Sequence, residues 1–479
     1  MIPQIPEPLF HILREIGEVG GKGTYLVGGS VRDLLLERES LDIDIVVEGD
    51  ALQVAEAMRE RWNGTLHQHP QFGTATVTPE NAAIPKVDFV TARYETYQHP
   101  GTLPIVKRGT LTDDLCRRDF TINALAMRLD ANAFGTIIDE TGGLADLETG
   151  TIRVLHKQSF RDDPTRIFRA CRYAGRYGFH IADDDKALII EALPILSSLT
   201  GERIRNELDR VLLEENAPQI VEYLTEFNVW KTICKGWEIG TNFDRRFASA
   251  QRALRWASEH LTDEPFHPEH VRWMTLFCGG MPDHWLEAIS FRLVLPHELQ
   301  RIRNPLPKDA RFQLEEILVS PSFYVESRNG KWLIVDMKNN KTYVRAPREF
   351  YVIFTPFTAY GALLVLFLLL PDEPTPGAVH SMLKFFPLEA AVLAMYRHGL
   401  TDAQREQIGT YLHTLRKVPP LVTGHDLIEW GEKPGKMFQT FLSRLFAAQL
   451  DGEITTKSEA RRWLQAYKKD KGKAVSEKS

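Results

Sequence analysis

Short apolar runs recur through the first 140 positions, at Thr24–Val27, Ile43–Val47, Thr74–Val77 and Val87–Val90. Polar stretches of helical period, such as Ala51–Trp62, separate them. That alternation predicts an α/β unit at the start of the chain. From about Gly143 to Ser320 the pattern becomes mostly helical, with long periods at Ala187–Leu199 and Arg205–Leu213. Short alternating runs follow at Phe323–Ser327, Lys331–Met337 and Lys341–Arg345. They are joined by Arg328-Asn329-Gly330 and Lys338-Asn339-Asn340, pairs that tolerate positive φ, so a small β-meander is expected. Helical patterns return from Tyr360, and the last dozen residues, KKDKGKAVSEKS, read as a frayed, solvated end. No repeat of fixed period is visible.

The 479 residues exceed one ordinary core and suggest two to four domains, with boundaries drawn at 1–140, 141–215, 216–320 and 321–479. With 43% hydrophobic and 25% charged residues the chain is globular in composition. Its net charge of −6 argues against a uniformly basic nucleic-acid coat but permits a local basic groove. The four scattered cysteines, Cys116, Cys171, Cys234 and Cys278, form no C-x-x-C and fit a reducing compartment. The start of the chain, with its prolines and acids, does not read as an export signal. Tyr351–Leu370 carries no charge over 20 residues, but Pro356 and two threonines interrupt it. A buried core helix is expected there, with no membrane partner.

Three constellations carry chemistry. The first is LVGGSVRDLLLERESLDIDIVVEGD, Leu26–Asp50. A strand enters Gly28-Gly29 and a helix with Arg32 and Asp33 follows, a junction that lets backbone N–H groups approach a triphosphate. Asp42 and Asp44 stand at i and i+2 in a strand, so both carboxylates leave one face. Two like charges so close call for a cation, and hard carboxylate oxygens suit Mg²⁺ bridging to substrate phosphates. Glu37–Asp50 holds six acids and one base. Two-metal phosphoryl or nucleotidyl transfer is the leading chemistry.

The second constellation is CRRDFTINALAMRL, Cys116–Leu129. Arg118 can reach phosphates, while Asp119 and Asn123, four apart on one helical face, could read a ribose. Equally, the string could be a capped amphipathic helix. The third is RDDPTRIFRACRYAGRYGF, Arg161–Phe179. Asp163 and Arg166 sit side by side on a helix starting at Pro164, an acceptor and a fork of donors suited to a base edge, with Arg169 and Arg172 continuing the row. The plainer reading makes Asp163 a helix cap and the arginines surface ion pairs.

In this order, the motifs resemble the class II tRNA nucleotidyltransferases, the CCA-adding enzymes and their poly(A) polymerase relatives. The resemblance runs through GGSVRD…DID (Gly28–Asp44), RRDFTINALA (Arg117–Ala126), DETGGLADLETGTIRVL (Asp139–Leu155), DDPTRIFRACRY (Asp162–Tyr173) and ERIRNEL (Glu202–Leu208), and more loosely through Pro420–Lys436 and Leu450–Ala460. It implies a polymerase-beta-like mixed-sheet catalytic head, a helical neck and body, and a tRNA-binding tail. It implies Asp42 and Asp44 as Mg²⁺ ligands, and Gly28, Gly29 and Arg32 at the triphosphate. Arg118, Asp119 and Asn123 would hold nucleotide and ribose. Asp163 and Arg166 would select CTP or ATP, supported by Arg169 and Arg172. Asp139–Asp146 resembles the hinge between head and neck, and Glu202–Leu208 a brace for the neck helices. The implied reaction adds C and/or A to a tRNA 3′ end, gripping acceptor stem and elbow, in the cytoplasm.

The chain departs from the pattern in three places. Asp162 stands where a Glu is usual. Tyr94–Asp113 occupies the place of a flexible loop, and its Pro-Gly-Thr-Leu-Pro resembles enzymes that add only CC or only A. The meander is foreign to a helical body. The alternatives are therefore a CC-adding or A-adding enzyme, a poly(A) polymerase, or an inactive RNA-binding homologue. Asp88 is either a third acid facing the metal site, acting as general base, or a strand-end Asp paired with Arg93. His267 and His270 in HPEH read as a helix-start pair.

Overall fold

The computed structural model describes residues 3–38, 42–96, 105–240, 242–262, 265–277, 288–289, 291–295, 323–328, 331–336, 341–345, 374–384, 386, 388–396 and 400–476. Two compact units divide at Lys235 and Gly236. The 351–370 apolar segment, Cys278 and the meander's two turns lie outside the described residues.

In the first unit, helix α1 (Glu7–Gly20) leads into β1 (Thr24–Val27), α2 (Gly29–Leu35), β2 (Ile43–Val47) and α3 (Ala51–Arg61). Then come β3 (Thr65–His69), β4 (Thr74–Thr78), β5 (Val87–Thr91), the ribbon β6 (Arg93–Thr96) and β7 (Ile105–Arg108), and α4 (Leu111–Cys116). Strands β8 (Leu125–Arg128) and β9 (Ile137–Asp139) complete a seven-stranded sheet of order β3-β4-β5-β2-β1-β8-β9. Only β2 and β5 run parallel; α3 and the β3–β4 hairpin lie between them in sequence and make the crossover. This is a mixed-sheet head.

Strand alternation separates the two faces of the sheet. Ile43, Ile45, Val47, Ala75, Val77, Val87 and Phe89 enter one core with Leu13 and Ile16 of α1 and Ala55 and Met58 of α3. Val27, Val46, Ala124 and Ala126 point the other way and pack with Leu111 and Leu115 of α4. Asp44 sits between the in-pointing Ile43 and Ile45, so it shares this second face.

Helical structure follows: α5 (Gly143–Thr149), the short β10 (Thr151–Ile152), α6 (Ser159–Asp162), α7 (Arg166–Tyr177), β11 (His180–Ile181), α8 (Asp183–Ala192), α9 (Gly201–Leu213), α10 (Ala217–Glu226) and α11 (Val229–Ile233). The bend before α5 is built by one side chain. Asp139 Oδ1 accepts N–H groups of Thr141, Gly142 and Gly143, and its Oδ2 accepts that of Leu144. Helix α8 stops short of the expected Leu199 because Pro194 turns the chain into a 3-10 segment, Leu193–Ser198.

The second unit contains α12 (Phe243–His260), α13 (Pro268–Phe277), strands β12 (Phe323–Arg328), β13 (Lys331–Asp336) and β14 (Lys341–Arg345), and helices from Pro376 to the C-terminal region. The three strands form the expected antiparallel meander. Lys457–Ser476 is one continuous helix, where a frayed end was expected from residue 468. Among the described residues no helix is long and apolar enough to cross a membrane.

Gly17 gives a test of the head's packing. It is buried in α1, and a Cβ there would overlap the backbone carbonyl of Leu129. Alanine gains about 1 kcal/mol of helix propensity, whereas overpacking against backbone costs about 1–3 kcal/mol or more. Gly17→Ala should therefore lower the melting temperature; an unchanged or higher value would show that α1 does not press on the end of β8.

Candidate active site

The β2–β5 pairing sets Asp44 directly opposite Asp88, so both carboxylates leave the sheet on the same face. Asp42 precedes β2 by one residue and joins them. Its position is held by Ser30 of α2, whose hydroxyl donates to the Asp42 carbonyl at 2.7 Å. Asp88 Oδ1 accepts the Thr76 hydroxyl from β4. Burial pushes the Asp44 pKa up; Arg118 opposes the shift, while Asp88, Asp42 and Asp114 add to it. Three carboxylates crowded on a half-buried face, with one already resisting ionisation, fit a site for a divalent cation.

Gly28 lies beside this cluster, at the end of β1, with φ +72°. The positive φ favours glycine, and a Cβ there would meet the end of the Arg118 guanidinium, which would have to move aside. Arg118 Nη2 donates to Asp114 Oδ2 at 2.9 Å, while its Nε is buried without a hydrogen-bond partner. Asp114 is wholly buried and also receives Arg117 Nε and Nη2 on Oδ1, at 2.9 and 2.7 Å. It is the shared anchor of both arginines. Sequence reasoning overlooked it, although spacings of three and four from Arg117 and Arg118 were a readable signal.

The Arg117–Ala126 string is not the expected helix. Thr121–Asn123 is a single 3-10 turn and β8 begins at Leu125. Pairing of β8 with both β1 and β9 overrides the helical pattern. Asp119 and Asn123 nevertheless meet, because the turn brings Asn123 Nδ2 to Asp119 Oδ1 at 2.9 Å. Asp119 Oδ2 takes Arg169 from α7 through Nε and Nη2. Burial pushes the Asp119 pKa up, but Arg169 and Asn123 prevail and hold it below the usual carboxylate value.

Arg32 is enclosed, 4% exposed, and differs most from expectation. Its Nε and Nη2 grip Asp33, its Nη1 bonds Asn123 Oδ1, and its guanidinium lies over the rings of Tyr173 and Tyr177 at 5.2 and 4.7 Å. The Tyr177 hydroxyl closes the circuit by donating to Asp33 Oδ1 at 3.0 Å. Gly29, the first residue of α2, sits against this guanidinium.

Helix α7 begins at Arg166, two residues later than the Pro164 expected. Asp163 does cap its approach: Oδ1 accepts the Thr165 N–H and hydroxyl, and also Arg203 Nη2 of α9 at 2.9 Å. Arg166 points elsewhere, to the Ser159 hydroxyl and the Arg117 carbonyl. Arg172 lies over Tyr173 at 5.2 Å and near Glu214 at 3.9 Å. The structure thus brings Asp42, Asp44, Asp88, Gly28 and Arg118 together, with Asp119, Asn123 and Arg169 as the link to α7.

In the second unit, His267, Glu269 and His270 present donor atoms within 4.8 Å of one another. The two imidazoles are stacked, 25° apart. His267 Nδ1 already faces Glu269, and its N–H donates to Glu389. The cluster matches the helix-start reading.

Comparison with known proteins agrees with this geometry. The Poly A polymerase head domain family matches residues 24–153, and a family described as the probable RNA and SrmB-binding site of polymerase A matches residues 178–238. The A-adding tRNA nucleotidyltransferase of Halalkalibacterium halodurans is 28% identical over 95% of this chain and 92% of its own length. That of Geobacter sulfurreducens is 31% identical over 96% of this chain, which spans only 47% of that longer relative. Other relatives are CC-adding or CCA-adding enzymes matched over less than half of this chain. A solved CCA-adding enzyme in an apo form superposes with TM-score 0.71 at 26% identity, covering 97% of this chain and 96% of that one. Solved structures of similar proteins hold ATP, CTP or tRNA. With the ordered motifs, the mixed-sheet head and these likenesses in agreement, the chain belongs to the class II tRNA nucleotidyltransferase and poly(A) polymerase family.

Proposed function

We propose that this chain is a tRNA nucleotidyltransferase that adds the terminal A, transferring AMP from ATP to a tRNA ending in CC. The observation that carries nucleotidyl transfer is the convergence of Asp42, Asp44 and Asp88 on one sheet face beside Gly28 and Arg118. The narrower choice of A rests on the A-adding relatives, which match nearly the whole chain, and on the Pro-Gly-Thr-Leu-Pro sequence at 100–104. Complete CCA addition from CTP and ATP is the second reading, supported by the full-length likeness to a CCA-adding enzyme. A cytoplasmic location belongs to the same proposal, supported by the scattered cysteines without a C-x-x-C pair.

In the mechanism, Asp42 and Asp44 are the residues to hold Mg²⁺. When bound, Mg²⁺ supplies Lewis-acid activation of the attacking hydroxyl and charge neutralisation at the leaving pyrophosphate. Asp88 is placed to take the proton of the 3′-hydroxyl as it attacks the α-phosphorus. Gly28 lets the triphosphate approach backbone, and the Arg118 guanidinium, anchored by Asp114, supplies donors to it. Asp119, clamped by Arg169, fixes the ribose side of the pocket. Arg32 acts from behind: with its guanidinium committed to Asp33, Asn123 and two tyrosines, it positions the Asn123–Asp119 pair. At the base, the Asp163 carboxylate can accept from the exocyclic amino groups of adenine or cytosine, while guanine and uracil present carbonyl oxygens there. That contrast rejects G and U without a nucleic-acid template.

Extension of tRNA lacking CCA, of tRNA ending in CC, and of complete tRNA, each with a single nucleoside triphosphate, tests the reading. The expected product is one A on tRNA-CC from ATP alone. Incorporation of CMP into tRNA lacking CCA would overturn A-only addition, and a lengthening A tail on complete tRNA would make the chain a poly(A) polymerase.

Asp44 allows a check on the cation that needs no turnover. Its raised pKa means the charged form is disfavoured in the folded chain, a cost that grows as pH rises through that raised value. At neutral pH without metal, Asp44→Asn should therefore raise the melting temperature, while Mg²⁺ should stabilise the wild type and leave the variant unmoved. Equal stabilisation of both would remove Asp44 from the metal site.

Asp114→Asn should cut kcat/KM for the nucleotide by up to about 100-fold, the scale of a displaced positioning group, by loosening Arg118. Wild-type kinetics in a folded variant would refute that role.

A further inference from the structure

The sheet face that carries the carboxylates continues past them. Asp44 of β2 stands opposite Asp88 of β5, Asp88 opposite Thr76 of β4, and Thr76 opposite His67 of the edge strand β3. His69, two residues on, shares that face and stands opposite Thr74. The intervening Leu66, Ala75, Val77, Val87 and Phe89 all turn into the core on the other side, which fixes the orientation independently. Both histidines are exposed, with rings edge to face at 4.6 Å, and Phe72 in the adjoining turn is 53% exposed.

We propose that this strip, from Asp88 across Thr76 to His67 and His69, is the track on which the single-stranded 3′ end of the RNA substrate lies. The inference rests on the nucleotidyl-transfer reading above and adds the side from which the acceptor arrives. On that reading Gly28 and Arg118 receive the triphosphate and Asp119, held by Asn123 and Arg169, the ribose, all on the β1–β8 side of the carboxylates. Displacement at phosphorus is in line, so the attacking hydroxyl must come from the side opposite the leaving pyrophosphate. That side is β5, then β4, then β3. The row from Asp44 to His67 crosses three strand spacings, about 14 Å, a distance bridged by a few nucleotides.

The chemistry of the strip suits RNA. Beyond Asp88 its register positions are Thr65, Thr74, Thr76, Thr78 and the two histidines, with no carboxylate to repel phosphate. Threonine hydroxyls can pair with 2′-hydroxyl and phosphate oxygens, and imidazole and phenyl rings offer faces on which unpaired bases stack irrespective of sequence. An exposed edge strand of this composition also has no core to serve, since its apolar residue Leu66 already fills that need.

Steady-state kinetics on the full chain test this, with tRNA-CC and ATP varied in turn. His67→Ala/His69→Ala should raise the KM for tRNA about tenfold, within the range for loss of a base stack, while the KM for ATP stays within about twofold and the melting temperature is unchanged. His67→Phe/His69→Phe should restore the tRNA KM, because a phenyl ring can stack. An unaltered tRNA KM, or an equal rise for ATP, would overturn the proposal. A photocrosslink gives a readout independent of turnover: tRNA carrying 4-thiouridine at its penultimate position should label residues 65–78, and labelling elsewhere in the head instead would refute the track. Failure of the wild type to extend any tRNA would sink the activity reading, and the crosslink map, which needs no turnover, would still decide the track.

Discussion

Mutual repulsion of carboxylates on one sheet face is the constraint around which the head is arranged. Register alone places Asp44 against Asp88, since β2 and β5 run parallel and in step. Nothing in the sheet's own energetics favours that pairing, because like charges directly opposite destabilise a ladder. The strands can tolerate it because their other face is a dense apolar core, with Ile45, Val87 and Phe89 fully buried. Arg118 supplies partial relief, and the positive φ of Gly28 beside it keeps that turn free of a side chain. The carboxylate cluster is thus costly in itself, and the surrounding apolar core offsets that cost.

A second arrangement ties the head sheet to α7. Asp119 receives Asn123 and Arg169, Asn123 receives Arg32, Arg32 grips Asp33, and Asp33 receives Tyr177. Each member is satisfied by the next, so the charged groups here sit in a closed network instead of paying for isolated burial. The consequence is that residues on α2, on the 3-10 turn and on α7 hold one another in place. Arg32, which the motif suggested as a phosphate ligand, has its guanidinium bonded to Asp33 and Asn123 within this frame. Asp139, by collecting four consecutive-turn N–H groups, sets the bend at which the chain leaves the sheet for α5.

How much of this was legible depended on whether the signal was local. The strands β1 and β2 are bounded where their apolar runs begin and end, and Asp42 with Asp44 was readable because i, i+2 spacing has one meaning in a strand. The helical reading of Cys116–Leu129 failed because the fate of Leu125–Arg128 depends on β1 and β9, which are distant in sequence. Asp114 was half legible: its spacing from Arg117 and Arg118 is in the sequence, but its complete burial, which makes it their shared anchor, is a tertiary fact. Thr65–His69, with its two histidines, carries little apolar signal and is a strand only because β4 offers it an edge.

The net charge of −6 illustrates the same limit. It averages an acidic segment at Glu37–Asp50 against the basic stretch Arg153–Arg176, each five charges from neutrality and of opposite sign. In the fold these segments do not simply attract each other. Arg169 is spent on Asp119 and Arg166 on Ser159 and a backbone carbonyl, so α7's positive charge is largely fixed within the protein. Arg118, with a buried Nε–H still unpartnered, is the guanidinium that stands between the two, anchored by Asp114 and directed toward the carboxylates. A triphosphate entering beside Gly28 would therefore meet one oriented donor group next to a cation-seeking cluster, and meet it already positioned. Preorganised charge of that kind, more than any excess of basic residues, is what lets an acidic protein act on a polyanion.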